Sequence, residues 1–261
     1  MDLQLKGKTA LILGGSKGLG RGVANALAAE GVAVAILART RDTLDRAVSE
    51  IKASGGRAHG LAADLADWPS VEHAVEDARK ELGAIDILLN NSGGPPPSGV
   101  AGVSPAIWEA QFNAMVLPLF RITDILLPDM RSRKWGRILN VASTSVVEPI
   151  PIIGVSNTLR SAIVGWAKTL AGETARDGIT VNTLLPGAIA TDRSMGLSRA
   201  AAERQKISVE EAMKRAAQAI PVGRMGTVEE FGAVAAFLAS PLAAYVTGSL
   251  IRVDGGVIRS V

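Results

Sequence analysis

The sequence contains no cysteine and only two histidines, His59 and His73. The lack of cysteine excludes disulfides, thiolate nucleophiles and cysteine-ligated metals, and two histidines leave little for a histidine-rich metal site. Aromatic residues make up only 3% of the chain, and the formal net charge of +3 is spread without long basic runs. Composition therefore gives no support for a metal site or for a nucleic-acid partner.

Long hydrophobic runs are lacking as well. No continuous apolar run reaches the roughly 18 residues that span a bilayer, and the first residues lack the apolar core of a signal peptide. We therefore expect a soluble, cytoplasmic protein with no membrane partner. The 261 residues, 48% of them hydrophobic, suffice for a single α/β domain over residues 1–261.

Short apolar strand patterns alternate with amphipathic helix patterns along the chain. This alternation predicts a Rossmann-type, doubly wound parallel sheet of about seven strands with helices on both faces. A polar, charged segment at about 191–220 precedes the last helix, and we expect it to form a substrate lid. The predicted strands are Thr9 to Leu13, Ala33 to Leu37, Arg57 to Leu61, Ile85 to Leu89, Arg137 to Val141, Thr180 to Leu184 and Ser249 to Val253.

A glycine-rich turn follows the first predicted strand in the stretch from Leu11 to Gly22. Its glycines Gly14, Gly18 and Gly20 have the spacing G-x-x-x-G-x-G, and a helical pattern resumes after them. A turn without Cβ atoms, followed by a helix N-terminus, predicts a site for a dinucleotide phosphate. An ordinary turn between strand and helix is the alternative, because such motifs also occur without a ligand.

The end of the second predicted strand carries a cation where an NAD site would offer a carboxylate. Ala38 stands at the acidic position, Arg39 follows it, and Lys17 in the glycine turn is a second cation. These charges favour the 2′-phosphate of NADP(H) over NAD(H), with solvated surface charges as the alternative. After the third strand, Asp64 is a candidate either for the adenine amino group or for a helix cap, although Asp67 is better placed as the cap.

Four co-ordered motifs resemble those of the short-chain dehydrogenases/reductases, especially the β-ketoacyl-carrier-protein reductase-like branch. They are the glycine turn, the NNSG sequence at 90–93, the strand end at 140–145 and Pro186-Gly187. The resemblance extends to the C-terminal motifs at 245–248 and 253–256. It implies a homotetramer and an NADP(H)-dependent transfer of hydride between nicotinamide and a small oxo or hydroxy substrate of 3-oxoacyl or similar type.

The resemblance also implies a cofactor site distributed along the chain. Its residues are Gly14, Ser16, Lys17, Gly18, Leu19, Gly20, Arg39, Asp64, Leu65, Asn91, Ser92, Gly93, Arg160, Pro186, Gly187, Ile189 and Thr191.

The family's catalytic tetrad carries over as Asn113, Ser143, Ser156 and Arg160, and the last two depart from it. Ser156 stands where the family has tyrosine, and Arg160 stands where it has lysine. An aliphatic hydroxyl is a far weaker acid than a phenol, and a guanidinium does not exchange its proton at usable pH. We therefore expect an enzyme with an atypical proton donor, such as a water between Ser156, Arg160 and Asn113. The alternative is a pseudoenzyme that binds NADP(H) and acts as a regulator or partner subunit.

The predicted lid is rich in charge. Its cations suggest an anionic substrate, whereas a solvated helix face is the alternative explanation. The lid cations are Arg193, Arg199, Arg204, Lys206, Lys214 and Arg215.

Overall fold

A parallel sheet of seven strands runs through the molecule. The computed structural model describes residues 1–260, without the side chains of residues 193, 197 and 200. Within that range the strand order is β3-β2-β1-β4-β5-β6-β7, which is the doubly wound arrangement predicted from the sequence. The strands are β1 (Thr9–Leu13), β2 (Ala33–Ala38), β3 (Arg57–Ala62), β4 (Ile87–Asn90), β5 (Gly136–Val141), β6 (Ile179–Pro186) and β7 (Leu250–Val253).

Helices cover both faces of this sheet. Alternate residues of β1 show why: Leu11 and Leu13 are buried in one apolar core, while Ala10 and Ile12 are buried in the other. The α-helices of the described chain are α1 (Gly18–Ala29), α2 (Arg41–Ala53), α3 (Trp68–Leu82), α4 (Pro105–Met115), α5 (Leu117–Ser132), α6 (Gly154–Thr174), α7 (Asp192–Gln205), α8 (Val209–Gln218) and α9 (Val228–Ala239).

The strand predictions are correct for all seven strands, with small differences at the ends. The largest occur at β4, which begins at Ile87, and at β6, which continues to Pro186. Both strands are buried along their whole length. Because all pairs are parallel, the residues that follow β1, β2, β4, β5 and β6 emerge at the same edge of the sheet.

Helices α4 and α5 together form a long apolar stretch. Pro105–Ser132 has the length and the mean hydropathy, 1.2, of a helix that could span a membrane. It contains no continuous apolar run of that length. A share of 44% of this window is buried inside the fold. Leu119, Ile122 and Leu126 lie in the core on one face of the sheet, so these apolar residues also have a packing role.

Candidate active site

The glycine turn between β1 and α1 has positions that favour glycine over any residue with a side chain. Gly14 and Gly18 have φ of +61° and +53°, and a Cβ on Gly20 would lie against the carbonyl oxygen of Gly14. Asn91, which follows β4, donates through Nδ2 to the carbonyl of Leu13 at 3.1 Å. The turn thus has a fixed shape, and Asn91 contributes by holding it.

Helix α1 starts at this turn without a side-chain cap. Its N-cap residue is Lys17, which makes no capping hydrogen bond, so the first backbone N–H groups of the helix remain available to an anion. Ser16 accepts a hydrogen bond from Thr43 Oγ1 at 3.3 Å, which ties the turn to α2. Leu19 is partly buried and packs against the core. These features fit the diphosphate of a dinucleotide.

The cations predicted to bind a 2′-phosphate lie in two places. Arg39 Nη1 is 3.8 Å from Asp64 Oδ2, with exposed side-chain fractions of 75% and 47%. Lys17 Nζ instead approaches Asp192 Oδ2 at the start of α7, also at 3.8 Å. Both ion pairs are exposed and therefore weak, so either cation can exchange its partner for a phosphate.

Asp64 does not cap a helix. Its Oδ1 accepts from the backbone N–H of Ala66 at 3.0 Å, while Leu65 packs against the core. The N-cap residue of α3 is Asp67, as predicted, although its side chain forms no capping hydrogen bond.

The structure brings Ser156 and Arg160 together in a buried cluster on α6. Their exposed fractions are 2% and 8%. Arg160 Nε donates to Ser156 Oγ at 3.3 Å. Its Nη1 donates to the carbonyls of Val141 and Ala142 at 3.0 and 3.2 Å, and Nη2 donates to the carbonyl of Gly93 at 3.1 Å. The guanidinium therefore joins the chain segments that leave β4 and β5.

Ser143 lies next to this cluster in sequence and is half-buried. Its Oγ accepts from the backbone N–H of Ser145 at 3.1 Å, which caps the short helical turn Thr144–Val146. The hydroxyl of Ser92 is buried and has no hydrogen-bond partner among the described residues. A buried hydroxyl in that state is able to serve a ligand.

Asn113 is not part of this cluster. It is exposed on α4 and forms no side-chain hydrogen bond with the described residues. The buried residue at the end of this helix is Met115, with an exposed fraction of 2%. The resemblance places Asn113 in the catalytic tetrad, whereas the structure leaves its side chain exposed to solvent on α4.

The segment after β6 has the close packing expected of a ligand-contacting strand end. Gly187, which follows Pro186, donates from its N–H to the carbonyl of Val253 at 3.0 Å, and a Cβ there would lie 2.7 Å from Asp254 Cα. Ile189 is buried and forms a β-bridge with Gly226. Gly187 and Ile189, both assigned to the predicted cofactor site, are therefore held by neighbouring backbone segments.

The predicted lid consists mainly of α7 and α8. Thr191 caps α7 by accepting from the N–H of Ser194, and its Cγ2 would lie 3.4 Å from a Cβ on Gly18. Arg215 pairs with Glu211 at 2.8 Å. The remaining described cations, Arg199, Arg204, Lys206 and Lys214, are exposed. The side chain of Arg193 lies outside the described residues.

A network of hydrogen bonds between buried asparagines supports the site. Its role was not predicted from the sequence. Asn90 Nδ2 donates to Thr123 Oγ1 at 3.1 Å and to Asn140 Oδ1 at 3.0 Å. Asn140 Nδ2 in turn donates to the carbonyl of Asn182 at 3.4 Å. The sequence did contain a signal for this network, namely an asparagine inside each of three apolar strands. Asparagine is disfavoured there unless its amide has a hydrogen-bond partner.

Known proteins resemble this chain over its whole length. A family model described as enoyl-(acyl carrier protein) reductase matches residues 14–258. The protein named "Uncharacterized oxidoreductase YvrD", from Bacillus subtilis, is 34% identical over 264 aligned positions and 100% of both chains. The 3-oxoacyl-(acyl-carrier-protein) reductase FabG of Vibrio harveyi is 34% identical over 257 residues, 98% of this chain and 99% of its own. The L-sorbose reductase of Gluconobacter frateurii, solved with NADPH and L-sorbose, superposes with a TM-score of 0.94 at 31% identity and full coverage, 100%, of both chains. The chain belongs to the short-chain dehydrogenase/reductase family.

Proposed function

We propose that this protein is an NADP(H)-dependent oxidoreductase that interconverts a carbonyl compound and a secondary alcohol. The observation that carries the proposal is the glycine turn, closed by Asn91 and open at the N-terminus of α1, with Arg39 at the neighbouring strand end. FabG and the sorbose reductase are reductases by name, and the sorbose reductase was solved with NADPH. The substrate is a small oxo or hydroxy compound of 3-oxoacyl or similar type.

Bound NADPH would supply the hydride, so that the carbonyl carbon gains hydride, its oxygen gains a proton and NADP⁺ remains. Backbone N–H groups of the glycine turn would hold the diphosphate, and Arg39 with Lys17 would hold the 2′-phosphate. For Lys17 this requires release of Asp192, and an exposed pair at 3.8 Å gives little resistance.

The proton is handled differently from the family pattern. Ser156 is almost completely buried and its Oγ is engaged by Arg160, which supports a positioning role for both residues. Arg160 holds the segments after β4 and β5 through three carbonyls. Ser143 is the half-buried hydroxyl of the group, so we assign it to orient the substrate carbonyl. A water beside Ser143 would carry the proton, and Asn113 is left out of this path.

The same geometry favours a second candidate, an NADP(H)-binding protein without turnover. A guanidinium that donates to backbone carbonyls and keeps its proton supports nucleotide binding better than proton transfer. Such a protein would act as a regulator or partner subunit.

A screen of oxo substrates with NADPH separates the two candidates. Cofactor binding is measured by nicotinamide fluorescence, and turnover is measured by loss of nicotinamide absorbance. Gly20→Ala should abolish both signals, because its Cβ would press on the Gly14 carbonyl, whereas Gly172→Ala, where a Cβ meets nothing within 4 Å, should not. Binding without turnover across the screen supports the second candidate, and absence of NADPH binding contradicts both.

We further propose a cytoplasmic homotetramer. Tyr245 and Leu250, at 103% and 44% exposure, leave apolar surface at the β7 edge of the sheet. Light scattering on purified protein should give four times the 27.0 kDa chain mass. A monomer at micromolar concentration would contradict this assembly.

A further inference from the structure

Two proline-rich loops lie side by side at the edge of the sheet that carries the site. Residues 95–100, PPPSGV, follow β4, and residues 149–153, PIPII, follow β5. Ser98 and Ile153 form a parallel β-bridge, and the N–H of Gly154 donates to the Ser98 carbonyl at 2.7 Å. We call these two segments the collar.

The collar presents apolar surface to solvent. Val100, Ile150 and Ile152 are 53%, 40% and 44% exposed, although they are aliphatic. Pro96 and Pro97 are exposed beside them. Large contiguous apolar patches that are rimmed by polar residues mark interaction sites or ligand-binding grooves.

The collar and the strand ends that lead into it are almost without charge. Residues 91–108 contain no ionisable side chain. Residues 142–153 contain one, Glu148, whose Oε1 accepts from the backbone N–H of Arg259 at 3.0 Å. An anionic group placed here would lose hydration, and the neighbouring cation, Arg160, already donates to three backbone carbonyls.

The collar is continuous with the reacting part of the site. Pro95 lies two residues after Gly93, whose carbonyl Arg160 holds, and residues 149–153 follow the turn capped by Ser143. A Cβ on Gly154 would lie 2.6 Å from Val100 Cγ1, so the collar packs directly on the first turn of α6. Proline rings fix φ, so this surface keeps its shape without a ligand.

We propose that the substrate is an uncharged carbonyl compound, or the matching alcohol, whose apolar chain or ring packs on the collar with its oxygen toward Ser143. This inference rests on the proposed oxidoreductase function and names the substrate class. It differs from the anionic substrate expected from the lid, whose described cations are exposed or, for Arg215, paired with Glu211.

Methyl ketones with straight propyl, pentyl and heptyl chains provide the test. Each is paired with the oxo-carboxylate in which the terminal methyl group is replaced by carboxylate. Binding to the NADPH-loaded protein is measured by saturation-transfer NMR and calorimetry, and turnover by loss of nicotinamide absorbance. Affinity should rise roughly two- to fourfold per methylene, and each oxo-carboxylate should bind at least about tenfold more weakly than its ketone.

Variants locate the effect on the collar. Ile152→Ser and Val100→Ser should flatten the dependence on chain length. Leu242→Ser is the matched control, because Leu242 is also 44% exposed. It lies near the opposite edge of the sheet, two residues after Ser240, whose carbonyl accepts from Arg137. Light scattering on each variant checks whether the collar is instead an interface between copies of the chain.

The results of these experiments distinguish a failure of the collar proposal from a failure of the oxidoreductase function. Chain-length-dependent binding without turnover supports the collar and contradicts the oxidoreductase function. Turnover of short ketones with an affinity that does not depend on chain length contradicts the proposed role of the collar and leaves the oxidoreductase function standing. Tighter binding of the oxo-carboxylates than of the ketones has the same meaning. A change of oligomeric state in Ile152→Ser, with ketone affinity unchanged, also contradicts the proposed role of the collar.

Discussion

Arg160 donates from Nε to the hydroxyl of Ser156, four residues earlier on the same helix, at 3.3 Å. This pair stands where the resemblance to the short-chain dehydrogenases/reductases implies a tyrosine and a lysine, and both residues are buried, with Arg160 bonded to the loop that follows β4. In the function we propose, a cation that holds backbone carbonyls thus takes the place of an acid that exchanges protons.

Arg160 should contribute strongly to stability. In Arg160→Met the carbonyls of Gly93, Val141 and Ala142 lose their guanidinium donor, and an unsatisfied buried acceptor costs about 1–3 kcal/mol. We expect urea unfolding to show a free energy of unfolding lower by about 2–4 kcal/mol, with a smaller loss in Arg160→Lys. Arg204→Met, at an exposed lid position, is the control. Equal stability of Arg160→Met and wild type would show that these bonds are not formed in solution.

Arg39 should decide the choice between the two nicotinamide cofactors. Arg39→Ala removes a charge-assisted bond to the 2′-phosphate, worth about 1.5–3 kcal/mol, so the preference for NADPH over NADH should fall roughly ten- to a hundredfold. Affinity for NADH should hardly change. Titration by nicotinamide fluorescence measures both, with Arg57→Ala, an exposed residue at the start of β3, as the control. Equal binding of the two cofactors by the wild type would refute the assignment.

Strands were predictable because the sheet is parallel and covered on both faces. Buried runs such as Ala33–Ala38 are apolar at every position, and glycines and charged helices separate them clearly. The glycine turn was predictable for a related reason, since Gly14 and Gly20 meet constraints that no other residue satisfies.

Side-chain orientation and ion pairing were less accessible to sequence. Asn113 and Met115 are two positions apart on α4, and only the fold decides which of them is buried. Lys17 pairs with Asp192, a residue 175 positions away along the chain, because the start of α7 lies against the glycine turn. Such contacts depend on how the start of α7 packs against the glycine turn, which local patterns do not encode.

The N-terminus of α9, which follows the lid in the chain, should show an acid-sensitive contribution to stability. Hydrogen bonds from Arg224 and from the backbone N–H of Thr227 lower the pKa of Glu230 from 4.5 to about 2. A lowered folded-state pKa means that the stabilisation is complete above about pH 4.5 and is lost as the pH falls through about 2. We therefore expect Glu230→Gln to lower the Tm at neutral pH, and the difference from wild type to vanish near pH 2.

Glu229→Gln is the matched control for this pH series. Glu229 lies beside Glu230 in the first turn of α9, and both side chains are exposed. A difference between Glu230→Gln and wild type that stays constant from neutral pH to about pH 2 would contradict the ion pair with Arg224.

The family's acid should be recoverable by a double change. Ser156→Tyr with Arg160→Lys places a phenol beside an ammonium one turn apart on α6. A positioned general acid contributes about 10²- to 10⁴-fold, so reduction of an activated ketone with NADPH should accelerate within that range. Ser156→Tyr alone should gain less, because the guanidinium of Arg160 lies 3.3 Å from the Ser156 oxygen and obstructs a ring built there.

Ser156→Phe with Arg160→Lys is the control for the double change, because it adds the ring without the hydroxyl. The gain should appear with tyrosine and be absent with phenylalanine, while NADPH affinity stays equal in the two variants. An equal gain in both would trace the effect to removal of Arg160 and not to a restored acid. If the wild type already reduces ketones faster than the tyrosine variant, another group on this chain donates the proton, and the water beside Ser143 loses its role. If no form turns over while all bind NADPH, the result supports a nucleotide-binding protein without turnover. The absence of a tyrosine at position 156 is then not what prevents catalysis.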